Sequence, residues 1–328
     1  MNGFVYVQTN DAEQNEVVVF GRNGERSLER IGGYPTGGKG SGAPHLPSQS
    51  SVVLADRRLF VTNAGSGDVT VFAVKGAELS VHDRLASGGS NPRSVAVHGD
   101  LVYVLNTAGV PNVSRLGGDV VALPKGSDPA QVAVAPEGRT LLVTDRASDS
   151  IHAFTIGNDG TLGEMVTHPS YGVTPYGFDV TADGVLVVTE AAGAQIGKAS
   201  ASSYKLDGLV QLTPVSGAVA NTRSEVCWAV VSKDGRVVFV TNFGDGTIST
   251  YLIGAGGELE LREAVAATTV EGQPGLRDEA LSSDGQYLYA LHADTGQVFG
   301  WKVGAEGALT PIGAANGLPL TAAGLAAS

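Results

Sequence analysis

The stretch DPAQVAVAPEGRTLLVTDRASDSIHAFTIGNDGTL (128–162) holds the pattern that decides the fold. Residues 131–135 form a short apolar-rich run, Glu137-Gly138 is a tight-turn dipeptide, and residues 141–145 form a second run that ends on a polar residue. A glycine in such a turn supplies the positive φ that a two-strand hairpin needs. A second turn follows about 15 residues on, at Asp159-Gly160. The stretch therefore reads as four short strands, A to D, in one meander.

The phrase at the end of strand B recurs along the chain. Its copies are FVYVQTN (4–10), LFVTN (59–63), VYVLN (102–106), LLVTD (141–145), VLVVTE (185–190), VFVTN (238–242) and LYALH (288–292). Their last residues, Asn10 to His292, span 282 residues in six intervals, a mean of 47, so 328 residues correspond to seven units. Preceding strands end in turns of the same kind, as in WAVVSKDGR and EALSSDGQ. The third repeat, around residues 113–123, is the shortest. Four-stranded units of this length repeated four to eight times are the signature of a β-propeller.

We expect an all-β, seven-bladed propeller of four-stranded antiparallel blades, one domain over residues 1–328 with no linker composition near its middle. The chain begins on a B strand, and TAAGLAAS (321–328) reads as an A strand without a B strand after it. That tail is expected to complete the first blade and close the ring.

Composition agrees. The sequence is 42% hydrophobic and 16% charged, with 46 glycines, which excludes disorder and suits a turn-rich fold. Its net charge of −12 disfavours nucleic acid and anionic membrane as partners. The single Cys227 allows no internal disulfide. The opening MNGFVYVQTN shows no leader pattern and no apolar run is long enough for a membrane helix, so a cytoplasmic protein, monomeric or weakly self-associating, is expected.

Departures from the repeat mark candidate functional residues, since function resides in the site and not in the fold. In a propeller the A strands line a central channel, and the loops entering A together with the B–C hairpins surround one mouth. Asn is the norm at the end of strand B, where it suits turn formation. Asp145 and His292 fit that structural role and are also candidates for substrate contact, whereas Glu190 has no turn advantage and precedes a long B–C loop (191–202). Registering the A strands places Ser51, Ser94, Gln131, Gly177, Trp228 and Asp278 at one level, with Arg93, Tyr176, Cys227 and Arg277 one position earlier. Glu279 interrupts an apolar column one position later, within the run Arg277-Asp278-Glu279. These residues compose either an internal ion pair between blades or a polar cluster at the mouth. In the second case Glu190, Asp278, Glu279 and Arg277 are the catalytic candidates. Arg93, Gln131, Asp145, Arg146, Tyr176, Arg223, Glu225, Trp228 and His292 are then the substrate-binding candidates, the aromatics forming an apolar wall.

No Walker loop, nucleophile elbow, dinucleotide fingerprint or metal-spaced His or Cys motif is present. No cofactor is expected, although Glu190 with Asp278 or Glu279 offers a site for a divalent cation at the channel. The glycine-rich segment YPTGGKGSGAPHLPS (34–48) precedes an A strand and is expected to be flexible and to cover the mouth.

The segments 128–162, TPYGFDVTADGVLVVTEAAG (174–193) and CWAVVSKDGRVVFVTNFGDGTISTY (227–251) resemble the lactonase family of seven-bladed propellers. That group includes bacterial 6-phosphogluconolactonase-like proteins and fungal 3-carboxy-cis,cis-muconate lactonizing enzymes. The resemblance spans essentially the whole chain and implies a hydrolase for a small, anionic cyclic ester. It also implies roles for a Glu ending a B strand and for an Arg following an Asp there, which Glu190 and Asp145-Arg146 match. Where the family carries histidines on neighbouring A strands, this chain has Gln131 and Trp228. A non-catalytic binding propeller and a cycloisomerase or lyase using the same carboxylate are the alternatives.

Overall fold

The computed structural model describes residues 3–24, 27–44, 46–47 and 49–328. Among them, 28 strands form seven four-stranded antiparallel sheets. The fold class is thus the expected seven-bladed β-propeller. Blade 4 has the arrangement read from residues 128–162, with strands A to D at Pro129–Val134, Thr140–Asp145, Ser150–Ile156 and Leu162–Pro169. Gly138 and Gly160 take φ of 75° and 80° in its two hairpins, as the turn dipeptides require.

Burial follows strand order within a blade. Every residue of Thr140–Asp145 is buried, whereas Leu162–Pro169 alternates towards solvent. Outer strands that are polar on their free edge resist pairing with another chain. No helix among the described residues is long and apolar enough to cross a membrane.

The chain divides into two compact units, 1–125 with 277–303 and 310–328, and 126–276 with 304–309. The first holds blades 1 to 3 and most of blade 7. Within it the C-terminal strand Ala323–Ala327 completes blade 1, pairing antiparallel with Phe4–Gln8 so that Val5 faces Ala327 and Val7 faces Leu325. The amide of Ser328 also donates to the Phe4 carbonyl at 2.9 Å.

Within each unit, C–D turns reach across to the face of the preceding blade. In the first unit the Tyr6 hydroxyl of blade 1 donates to the Gly76 carbonyl in the blade 2 turn at 2.8 Å. Arg22, ending strand C of blade 1, lies 3.6 Å over the Tyr287 ring of blade 7 and donates to the Tyr289 hydroxyl at 3.0 Å. In the second unit Thr140 of blade 4 donates to the Leu209 carbonyl of the blade 5 turn. Ser203 of blade 5 donates to the Gly257 carbonyl of the blade 6 turn at 2.7 Å. Arg262 of blade 6 pairs with Glu306 of the blade 7 turn at 2.5 Å.

Candidate functional site

The residue ending strand B has the same job in blade after blade. It pairs with the first residues of strand C, and its side chain meets the residue two positions beyond that partner on the same face. Asn63 donates to Asp68 at 2.6 Å and Thr70 at 2.9 Å; Asn242 donates to Thr247 at 3.1 Å and Ser249 at 2.9 Å. Asn106 reaches Asn112 and Ser114, at 3.0 and 3.3 Å. In blade 7 the corresponding position of strand C is Phe299, and the residue ending strand B is His292. Its ring lies 6.3 Å from that of Phe299, with Nδ1 3.0 Å from the Thr295 hydroxyl.

Glu190 occupies this same knot. Ser200 and Ser202 donate to its two oxygens at 2.6 and 2.5 Å, and the Gly172 amide donates at 2.8 Å. The side chain is fully buried. Glu190 and its long loop are one adaptation: strand C pairs ten residues further on, at Ser200, where Asn63 and Asn242 find partners after five. The carboxylate anchors the loop entering strand A of blade 5, and water cannot reach it without breaking these bonds.

Asp145 uses its knot to position a neighbour. It accepts from His152 at 3.3 Å, from the Asp128 amide at 2.9 Å and from the Ala147 amide at 3.1 Å. Burial alone would raise its pKa, but the His152 bond and those from Asp128 and nearby serines hold it well below the usual carboxylate range. The next residue, Arg146, bonds Asp128 Oδ1 at 2.6 Å and the Tyr176 hydroxyl at 3.1 Å, its guanidinium 4.8 Å from the Tyr176 ring centre. Tyr176 packs at 4.7 Å against fully buried Trp228, which clusters with Ala130, Cys227 and Phe243. The Trp228 Nε1–H has no hydrogen-bond partner among the described residues. Beside this group Cys227 Sγ lies 3.6 Å from the Glu225 carbonyl, and Arg223 sits 3.5 Å from Asp245. Thr222 and Glu225 take φ of 63° and 51°, so this loop holds left-handed backbone without glycine.

Gln131 and Asp278, expected at one level of the A strands, both act as struts. Gln131 exchanges two hydrogen bonds, at 2.9 and 2.8 Å, with the Phe178 backbone of the next blade. Asp278 accepts from the Leu325 amide at 3.2 Å and the Glu279 amide at 3.1 Å. Burial raises the Asp278 pKa well above its ordinary value, with those two amides opposing. Arg277 and Glu279 are buried on strand Leu276–Leu281, and alternation puts them on one face with Asp278 on the other. Arg93 is partly exposed on Ser90–His98, and the Asn91 amide oxygen, turned towards it, accepts from Nε and Nη2 at 3.2 and 3.1 Å.

The segment expected to be a flexible cover is pinned. Gly40 and Gly42 donate to the Asp11 and Asn10 carbonyls at 2.7 and 2.9 Å, and Gly65 donates to the Lys39 carbonyl at 2.9 Å. Gly40 is needed for this approach, since a Cβ there would stand 2.1 Å from the Asn10 carbonyl carbon. Leu46 packs on Ala64 and Ala323. His45 and Ser48 lie outside the described residues. Among those described, no group of three His, Cys, Asp or Glu side chains is placed to hold a metal ion.

The family model described as "Lactonase, 7-bladed beta-propeller" matches residues 110–194 and 188–315. The chain belongs to the lactonase family. Its fold is similar to that of a functionally unknown protein from Desulfotomaculum acetoxidans (14% identity, TM-score 0.77, covering 100% of this chain and 99% of that one). It is also similar to the periplasmic gluconolactonase of Pseudomonas aeruginosa (16%, 0.71, 99% of each). A Bacteroides fragilis protein provisionally described as a 6-phosphogluconolactonase is similar too (15%, 0.72, 99% and 98%). At such identities the likeness is one of fold. No curated protein matches the chain.

In this lactonase-family chain, then, the second unit brings Asp145, Arg146, Tyr176 and Trp228 together, with Glu225 reached through Cys227. The first unit holds Arg277, Asp278 and Glu279 side by side. Asp128 was missed by the comparison of repeats. It precedes strand A, outside the aligned strand positions, and the Asp-Pro dipeptide that opens the strand is its mark in the sequence.

Proposed function

We propose that the chain is a lactonase-type hydrolase that opens a small, anionic cyclic ester, with the Arg146 group of the second unit as its substrate-binding end. The observation that carries this reading is a guanidinium held by both Asp128 and the Tyr176 hydroxyl beside the Tyr176–Trp228 wall. Family membership supports it. So does the gluconolactonase named among the similar structures.

The chemistry follows from the residue types. Opening a lactone places negative charge on the carbonyl oxygen, and a fixed guanidinium or a buried N–H stabilises that charge without reorganising. Arg146 supplies such a guanidinium, backed by the Tyr176–Trp228 wall. Asp128, with its side chain 52% exposed and hydrogen-bonded to Arg146, is the carboxylate open to water and so the candidate general base. Arg277 and Glu279 provide a second Arg–carboxylate combination in the first unit. Initial rates of acid release over a panel of aldono- and carboxylated lactones test the reading. Arg146→Ala is expected to lower kcat/KM about 100-fold, and Glu190→Gln to act mainly on stability.

A further inference from the structure

The third repeat, shortest in the sequence, leaves a gap where blades 2, 5, 6 and 7 close one. Strands C and D of blade 3, Asn112–Arg115 and Val120–Ala122, have four and three residues. Those of blade 2, Asp68–Lys75 and Glu78–Ala86, have eight and nine. Blades 2, 5, 6 and 7 each lay a C–D turn on the preceding blade, as described above. Among the described residues, 116–119 of the blade 3 turn make no hydrogen bond to blade 2, and above the apolar cluster that Leu116 shares with Phe60 and Val71 a cleft of about 540 Å³ is lined by both blades, all within the first unit. That volume suits a small ligand.

The chemistry of the cleft is that of an unfilled turn site. Phe60, Val71 and Asp83 are register partners across strands B, C and D of blade 2 and so share a face, with Leu85 two residues beyond Asp83. Val97, Val102 and Leu116 of blade 3 form the opposite wall. Phe60 and Val71 are each only 5% exposed, so the floor is apolar, while Arg58, Asp83 and Asp100 on the rim are exposed. No ion pair among the described residues engages these three. Arg58 opens strand B of blade 2 as Thr140 opens strand B of blade 4, and Thr140 donates to a carbonyl of the turn that covers its blade. Blade 2 thus offers a cationic donor at the position where blade 4 binds a peptide carbonyl, with carboxylates on the same rim and an apolar floor between.

We propose that this cleft binds a short apolar peptide of dipeptide size by its free termini, the carboxylate on Arg58, the ammonium group on Asp83 and Asp100, and the side chains on Phe60, Val71 and Leu85. The inference is independent of lactone hydrolysis.

Isothermal titration calorimetry of the full chain with leucyl-leucine tests it. Saturable one-to-one binding is expected. N-acetylation of the dipeptide or Asp83→Asn should each weaken it about tenfold, and so should C-terminal amidation or Arg58→Gln, as expected when a hydrogen bond to a charged group is lost. Both side chains are exposed, so the variants should melt with the wild type, which separates lost contacts from lost fold. Absence of saturable binding overturns the proposal, as does binding that neither variant alters. Binding that survives N-acetylation and Asp83→Asn overturns the peptide assignment even if Arg58→Gln abolishes it.

Discussion

At Glu190 a residue that breaks the repeat does the repeat's ordinary work with a longer arm and a longer loop. Its two oxygens serve two serine hydroxyls and a backbone amide in a fully buried place. Glu190→Ala would leave those donors unpaired, and unmet buried donors cost about 1–3 kcal/mol each. We expect the variant to lose about 3 kcal/mol in urea titrations, and Glu190→Gln to lose clearly less because it keeps an acceptor. Asp179 gives a prediction of opposite character. Burial pushes its carboxyl up from 3.8 to about 6, against the Val231 and Val180 amides and Lys233. The folded chain therefore holds this proton more tightly than the unfolded chain. The contribution of Asp179 to stability is greatest below pH 4, falls as pH rises towards 6, and is level beyond, a loss of about 3 kcal/mol. Asp179→Asn should abolish that slope and be the more stable protein at pH 8, as thermal melts across pH would show. The unusual residue type at 190 was legible from the repeat, because six counterparts defined the norm. What it bonds was not, since Gly172 lies 18 residues away in another loop.

Among the elements, the A strands show how far a repeat can be read. One position after the level of Ser51, Ser94, Gln131, Gly177 and Trp228 stand Val52, Val95, Val132, Phe178 and Ala229, the apolar column that Glu279 interrupts, and they face Val61, Val104, Val143, Val188 and Val240 of strand B. Period-two alternation fixes such a register once one face is buried. The role of a residue within that register is another matter. Gln131 and Asp278 bond backbone of the next blade, a partner 47 residues on in each case. The glycine-rich loop likewise read as flexible, because its anchors at Asn10, Asp11 and Gly65 are remote in sequence. The C-terminal strand carries the clearest prediction at this scale. All five of its residues are buried, and blade 1 has no other strand A. Deleting residues 321–328 should abolish the cooperative melt, whereas an ordinary terminal truncation changes it little. A deletion variant melting within a few degrees of the full chain would contradict this.

For the whole molecule, seven similar blades hold a small number of charged departures. Some of these are structural, as in the Glu190 knot and the Asp278 strut. What distinguishes the Arg146 group is a guanidinium that remains near solvent, fixed by Asp128 and Tyr176 and backed by aromatic rings. The role of Arg146 is decided by the initial rate of acid release from the lactone panel by the wild type and by Arg146→Ala, with melting curves recorded for both. Turnover of at least one anionic lactone by the wild type is expected, with a loss of about 100-fold in kcat/KM for a variant that melts normally. Hydrolysis that is undiminished in folded Arg146→Ala, or no lactone opened by the wild type, would contradict that role.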